Sequence, residues 1–172
     1  MKIVYGPVSS WRLGSSLGVD LICSEKRICS FNCKYCQLEK PYKLSVERQN
    51  FIPINKMKIE LIEALKKTTP DVITFSGTGE PTLANNMDSA IKKIRNITNI
   101  PIAVLTNSTL MNKEDIRKTL SKIDIVVAKL DASNDKTFQI INKPSDNIKF
   151  QETIDGIKEF RKIFKGKLAL QI

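Results

Sequence analysis

Short apolar runs recur along this chain, each followed by residues at helical spacing, and that alternation limits the fold more than any other feature. Residues 71–75 (Asp-Val-Ile-Thr-Phe) read as a buried strand, residues 100–105 (Ile-Pro-Ile-Ala-Val-Leu) as the next, and residues 123–128 (Ile-Asp-Ile-Val-Val-Ala) as another. Residues 18–23 predict an earlier strand and residues 167–172 a fifth. Residues 55–67 put Met57, Leu61, Ile62, Ala64 and Leu65 at helical spacing, and Pro70 stops them. Helices are also expected over residues 86–95 and over 112–121, where Asn112 with Asp115 three residues on resembles a helix start. The best helix spans residues 150–164. There Phe150, Ile154, Ile157, Phe160, Ile163 and Phe164 fall on one face, with Glu and Lys on the other. A broken stretch around Pro144 precedes it, and Gly166 ends it.

Strands alternating with helices imply βαβ units, and hence a parallel sheet. Five strands cannot close an eight-stranded barrel. The expected fold is therefore α/β, a partial (βα) TIM-type barrel of about five parallel strands, open or truncated at its C-terminal end. Residues 1–172 read as a single domain, with neither an internal repeat nor a low-complexity linker. Residues 1–17, with Gly6, Pro7, Gly14 and four serines, read as a loop covering one end of the fold. Trp11 and Arg12 are its only large anchors. Trp11 is expected to pack, and Arg12 could reach a bound anion. Residues 37–54, polar and punctuated by Pro41 and Pro53, read as a connector.

Composition removes several function classes. There is no histidine, which excludes Cys–His and Ser–His–Asp catalysis and two-histidine metal sites. No apolar run approaches the roughly 18 residues of a membrane span, and the N-terminus lacks a secretory apolar core. Four cysteines, three of them clustered, read as metal binding in a reducing cytoplasm. The formal charge of +10 is compatible with a nucleic-acid or phosphate-bearing substrate, although solvated lysine-rich helix faces account for it equally well. No stacking aromatic platform for RNA stands out.

Chemistry concentrates first in Cys29-Ser-Phe-Asn-Cys33-Lys-Tyr-Cys36, with spacing C-x3-C-x2-C. Three thiols so close cannot all bridge one another, and so short a loop is poor disulfide geometry. They can surround a soft metal centre. Zinc sites and [4Fe–4S] clusters usually take four protein ligands, so three thiolates leave one metal position open, as a reactive site requires. Cys23, six residues before Cys29, reads as a fourth ligand or as a small buried side chain in a strand.

The second informative stretch is residues 75–83, Phe-Ser-Gly-Thr-Gly-Glu-Pro-Thr-Leu, directly after a strand. Gly77 and Gly79 allow close backbone approach or positive φ, and the Glu80 carboxylate could accept from an ammonium group. Taken alone, the pattern reads as a tight turn with a solvated Glu. Thr106-Asn107-Ser108 and Lys129-Leu130-Asp131 follow the next two strands, and polar groups at successive strand ends of a parallel sheet converge on one crevice. Lys129 and Asp131 read equally as a ligand contact and as an internal ion pair.

Together, the C-x3-C-x2-C loop and the Gly-x-Gly-Glu-Pro turn resemble the radical S-adenosylmethionine (radical SAM) superfamily, and the resemblance covers essentially the whole chain. It implies that Cys29, Cys33 and Cys36 hold a [4Fe–4S] cluster whose fourth iron chelates S-adenosylmethionine. One-electron reduction then yields a 5′-deoxyadenosyl radical that abstracts hydrogen from substrate. By the same resemblance Tyr35 packs near the adenine, and Gly77, Thr78, Gly79, Glu80 and Pro81 hold the cofactor's amino group. Asn107, Lys129 and Asp131 contact its ribose and carboxylate. Thr78 stands where many members have a second consecutive glycine. No residue is marked as acting on substrate.

The run from Tyr5 to Asp20, followed by the cysteine loop and Gln37-Leu38, is similar to a subgroup related to wyosine (tricyclic tRNA guanosine) synthases. That implies tRNA or a small molecule as substrate and a flavodoxin- or ferredoxin-like reductant as partner. Two other readings stand beside it: an activating enzyme for a protein partner, and a non-catalytic zinc or iron–sulfur module.

Overall fold

The structure is a computed structural model that describes residues 1–38 and 41–172. In chain order its elements are β1 (Val4–Ser10), β2 (Gly14–Val19), β3 (Arg27–Cys29), β4 (Tyr42–Leu44), α1 (Ile54–Leu65), β5 (Val72–Phe75), α2 (Met87–Arg95), β6 (Ile102–Thr106), α3 (Glu114–Leu120), β7 (Ile125–Lys129), α4 (Asp135–Asn142), α5 (Phe150–Ile163) and β8 (Lys167–Gln171). Single 3₁₀ turns cover Pro81–Leu83 and Thr109–Asn112.

Six strands make one sheet in the order β1-β2-β5-β6-β7-β8. Every neighbouring pair from β2 to β8 is parallel, and β1 alone runs antiparallel to β2. This is the open, mostly parallel α/β architecture expected from the alternation. Side chains alternate across each strand. Leu17, Val19, Ile73, Phe75, Ile102 and Val104 project to one face and join a continuous core with α1, α2, α3 and α5. The helices contribute Met57 and Leu61, Ala90 and Ile94, Ile116 and Leu120, and Ile157 and Phe160. Removing one such side chain, Phe75→Ala for example, costs about 3–5 kcal/mol.

The N-terminal segment is not a covering loop. Residues 4–19 form the β1–β2 hairpin, which adds a strand to the sheet edge. Its glycines and serines mark the turn and the register shift between Tyr5 and Val8 rather than an absence of structure. Trp11 does not pack either; it stands 91% exposed at the hairpin turn with Arg12 beside it. Two further elements escape a pattern reading because they are short. β3 and β4 form a two-stranded parallel ladder, three residues each, across part of the expected connector, whose residues 39 and 40 lie outside the described residues.

The stretch before Pro144 contains α4, started by Asn134, whose side chain accepts from the Thr137 N–H at 2.9 Å. Such a cap is worth about 1 kcal/mol. Asn112 does not start a helix but closes a 3₁₀ turn, and α3 begins two residues later. Among the described residues no helix is long and apolar enough to cross a membrane.

Candidate metal and cofactor site

Parallel strands deliver their C-terminal ends to one edge of the sheet, where the next residues leave the regular ladder. At that edge β3 docks on the turn after β5. The Ile28 N–H donates to the Thr78 carbonyl at 3.0 Å, and the Glu80 N–H donates to the Ile28 carbonyl at 3.0 Å. Gly79 lies between these two bonds, paired with Ile28. A Cβ at Gly79 would overlap the Ile28 carbonyl oxygen, so only glycine lets the two backbones meet. Gly77, at φ +147°, likewise has no room for a side chain because the Asp20 carboxylate fills it. Both glycines thus serve the fit of the chain against itself, and through it the placing of Cys29.

Thr78 has its own work in this fit. Asp20, just past β2 and buried, accepts the Thr78 N–H at 2.9 Å and its hydroxyl at 2.8 Å through one oxygen. The other oxygen takes the N–H groups of Ile22 and Cys23. The Thr78 hydroxyl in turn accepts from Ser24 N–H. Asp20 was not singled out by sequence, which places it inside the strand expected over residues 18–23, whereas β2 ends at Val19. Cys23 is not in a strand but follows β2 at φ +40°, half-buried, with its thiol toward the Lys2 carbonyl.

Glu80 is enclosed rather than solvated. It is 2% exposed, and its carboxylate accepts from Thr82 N–H (3.0 Å) and hydroxyl (2.7 Å), the Thr106 hydroxyl (2.7 Å) and Asn107 N–H (2.7 Å). Burial holds its pKa above the ordinary carboxylate value, and these donors offset only part of that rise. The side chain caps the 3₁₀ turn that Pro81 opens and ties it to the end of β6. With four donors on two oxygens it holds the site's own backbone together.

Cys29 ends β3, and Cys33 and Cys36 occupy the loop after it. The Cys29 sulfur faces the Phe31 N–H and the Asn107 side-chain amide, each at 3.5 Å, and the Cys33 sulfur faces the Asn142 amide at 3.6 Å. Without a metal, burial first and the Glu80 charge second push the Cys29 thiol up to about 12. Phe31, between the first two cysteines, pins the loop to α4 through an edge-on contact with Phe138, ring centroids 5.3 Å apart. Asn107 also donates to the Ser30 hydroxyl at 2.7 Å, while its carbonyl oxygen accepts from Thr109.

Tyr35, Lys129 and Asp131 come together beside Cys33, with Asn142 as a fourth member that sequence reasoning missed. The Tyr35 hydroxyl donates to Asp131, and the Asn142 amide reaches the same Asp131 oxygen at 2.8 Å and the Tyr35 oxygen at 3.1 Å. The Lys129 ammonium lies 4.5 Å from the Tyr35 ring centre and 3.5 Å from the other Asp131 oxygen. That oxygen, Oδ1, is buried without a hydrogen-bond partner. Burial, then the Asp131 bond, raises the Tyr35 pKa, so the phenol keeps its proton.

This donor set suits an iron–sulfur cluster. Amide N–H groups aimed at two sulfurs stabilise thiolates, and hydrogen bonds to sulfur are among the determinants of cluster potential. Among the described residues no three Cys, Asp or Glu side chains are gathered tightly enough to hold one metal ion. A four-iron cluster takes each thiolate on a different iron, so its ligands need not meet at a point. Asp131 Oδ1, ion-paired with Lys129 but accepting no hydrogen bond, has acceptor capacity for ammonium or hydroxyl hydrogens.

Comparison with known proteins gives the same picture. The family model described as Radical SAM superfamily matches residues 26–170. A UPF0026 protein of Synechocystis sp. is 43% identical over 98% of this chain and 63% of its own length. A Brachyspira hyodysenteriae protein named GTPase Obg is 41% identical over 99% of this chain and 25% of its own. The chain therefore spans about a quarter and about three-fifths of these two relatives. More distantly, a GTP 3',8-cyclase of Aliarcobacter butzleri is 29% identical over 78% of this chain and 40% of its own. Among solved structures, anSMEcpe with bound AdoMet superposes with a TM-score of 0.67 at 22% identity, covering 90% of this chain and 42% of that one. TYW1 with a lysine-pyruvate adduct gives 0.52 at 18% identity, over 93% and 56%. Both are likenesses of fold.

Proposed function

The chain belongs to the radical SAM superfamily, and from that premise we propose that it is the core of an enzyme that abstracts hydrogen from a nucleoside-bearing substrate. Cys29, Cys33 and Cys36 hold a [4Fe–4S] cluster, with S-adenosylmethionine beside it. When bound, this pair supplies a 5′-deoxyadenosyl radical by one-electron reductive cleavage. The observation that carries the reading is the docking of the cysteine strand on the Gly77–Pro81 turn, with amide donors on the Cys29 and Cys33 sulfurs.

The chain's own residues position and shield. Asp20 and Glu80 tie the turn to the ends of β2 and β6, and the turn's backbone bonds to Ile28 fix Cys29 relative to those strand ends. Asp131, through the oxygen that accepts no hydrogen bond, and Lys129 beside it accept and balance the polar groups of the cofactor. Tyr35, held by Asp131 and Asn142, keeps an aromatic face at the edge of the cysteine loop. A nucleoside-bearing substrate is supported by the +10 charge and by the distant likeness to a GTP 3',8-cyclase. RNA, as in the wyosine-related subgroup, and free nucleotides both fall within that class. The electron comes from an external flavodoxin- or ferredoxin-like donor, and free thiols throughout are suited to a reducing cytoplasm.

Anaerobic reconstitution with iron and sulfide, followed by dithionite and S-adenosylmethionine, tests the proposal. Four irons per chain and 5′-deoxyadenosine are expected, and Cys29→Ala is expected to lose both. Zinc in place of iron, or four irons with no 5′-deoxyadenosine, would overturn it.

A further inference from the structure

The sheet has a second face, opposite the helices, and there the residue types change. Ser16, Gly18, Thr74, Ser76 and Leu105 alternate with the apolar set and line a cleft of about 420 Å³. That size lies within the usual range for small-molecule sites, roughly 300–1,000 Å³. The cleft extends from Gln37, next to the cysteine loop, to Trp11 and Arg12 at the hairpin turn. By register the turn lies at the opposite strand ends, since Ser16 pairs with Val72 and Val19 with Phe75. Six residues of β2 separate the two mouths, roughly 17 Å at 3.3 Å per residue.

The chemistry of the walls is specific. Hydroxyls form two pairs, Tyr5 with Ser76 and Ser16 with Thr74, each at 2.7 Å, and each pair keeps lone-pair capacity for a visitor. Gly18 has no side chain because the Tyr5 ring occupies the place where one would go. Among the described residues no carboxylate lines the cleft, and Arg12 is its one charged group. Among the described residues no carboxylate pairs with Arg12; its guanidinium lies 5.2 Å from the Trp11 ring centre. An indole with one face toward a guanidinium and 91% of its surface exposed is a stacking platform beside an anion fork.

We propose that the Trp11–Arg12 rim is a nucleotide subsite: the base stacks on Trp11, Arg12 holds the phosphate, and sugar hydroxyls meet the hydroxyl-lined wall. This rests on the nucleoside reading above and adds where the substrate is gripped, about the length of β2 away from the cysteines. A larger hollow of about 530 Å³, between the end of α1 and Ile97–Ile100, lies on the helical side and is lined mainly by apolar side chains, threonines and one lysine. It offers no such pairing.

Trp11 is the only tryptophan in the chain, so its emission under 295 nm excitation reports on the rim directly. The reconstituted chain is titrated with guanosine and adenosine 5′-monophosphates, the matching nucleosides, and inorganic phosphate, with calorimetry in parallel. A nucleotide is expected to quench Trp11 and to bind at least tenfold more tightly than its nucleoside. Arg12→Gln is expected to reduce the nucleotide to the nucleoside's affinity. Trp11→Leu, read by calorimetry, is expected to weaken both.

Equal binding of nucleotide and nucleoside, or no effect of Arg12→Gln, removes the phosphate contact and overturns the proposal. Inorganic phosphate binding as well as the nucleotides leaves only a general anion site, which also overturns it. No quenching and no heat with any probe removes the subsite outright. If 5′-deoxyadenosine still forms in that case, the subsite alone has failed; if it does not, the radical reading has failed with it.

Discussion

Two carboxylates at the same edge of the sheet are treated in opposite ways. Glu80, after β5, is enclosed, with four donors on its two oxygens. Asp131, after β7, shares one oxygen between Tyr35 and Asn142 and leaves the other buried with only a 3.5 Å approach from Lys129. A buried acceptor that the protein fully satisfies is structure, because removing it strands its donors. A buried acceptor left unsatisfied costs stability, so a later partner is the economical explanation. The turn after β5 is therefore the frame of the site, and the Tyr35–Lys129–Asp131–Asn142 group is the part that stays adaptable.

Four substitutions test the contrast. Gly79→Ala should be the most damaging, since its Cβ meets a backbone carbonyl that cannot move aside; about 3 kcal/mol is expected in urea unfolding. A loss below about 1 kcal/mol would mean β3 is not rigidly docked. Glu80→Gln replaces an acceptor oxygen with donors facing Thr82, Thr106 and Asn107, and about 2 kcal/mol should be lost. If Glu80→Gln left stability intact but abolished S-adenosylmethionine binding, the frame and the adaptable group would have to exchange roles.

Asp131→Asn should cost about 1 kcal/mol or less, because half of its bonding is unmade already. Its effect should appear instead in S-adenosylmethionine affinity, weakened about tenfold by equilibrium dialysis, as expected for losing one charged contact of about 1.4 kcal/mol.

A surface carboxylate sets the baseline. Asp88 on α2 is held below its ordinary 3.8 by Lys122 first and Lys92 second. Its contribution is complete above that value and fades as pH falls through the depressed one. Asp88→Asn should cost about 0.5 kcal/mol at neutral pH and flatten the acid end of the stability curve. An effect as large as that of Glu80→Gln would show that burial is not what separates these carboxylates.

The long elements were legible in the chain because each carries many residues of one pattern: the four parallel strands β5 to β8 and α1, α2 and α5 fall close to where periodicity puts them, whereas the strand expected over residues 18–23 is β2, Gly14–Val19. The site was legible as motifs, since C-x3-C-x2-C and Gly-x-Gly-Glu-Pro are compact in sequence. What stayed hidden was short or long-range. β3 and β4 are three residues each, too few to display a period, and the β1–β2 hairpin looks like a loop because serine and glycine occupy the face of β2 opposite Leu17 and Val19.

Sequence by itself determined the alternating α/β order, the three thiols and the absence of imidazole. Only the tertiary structure decided the uses of the polar residues. It buried Glu80 as a frame, set Asn142 beside Cys33 across 109 positions, and lifted Trp11 out of the core onto a cleft rim. The physical reason is that a pattern records which side chains avoid water. A hydrogen-bond partner is fixed only when strands far apart in the chain arrive at the same edge.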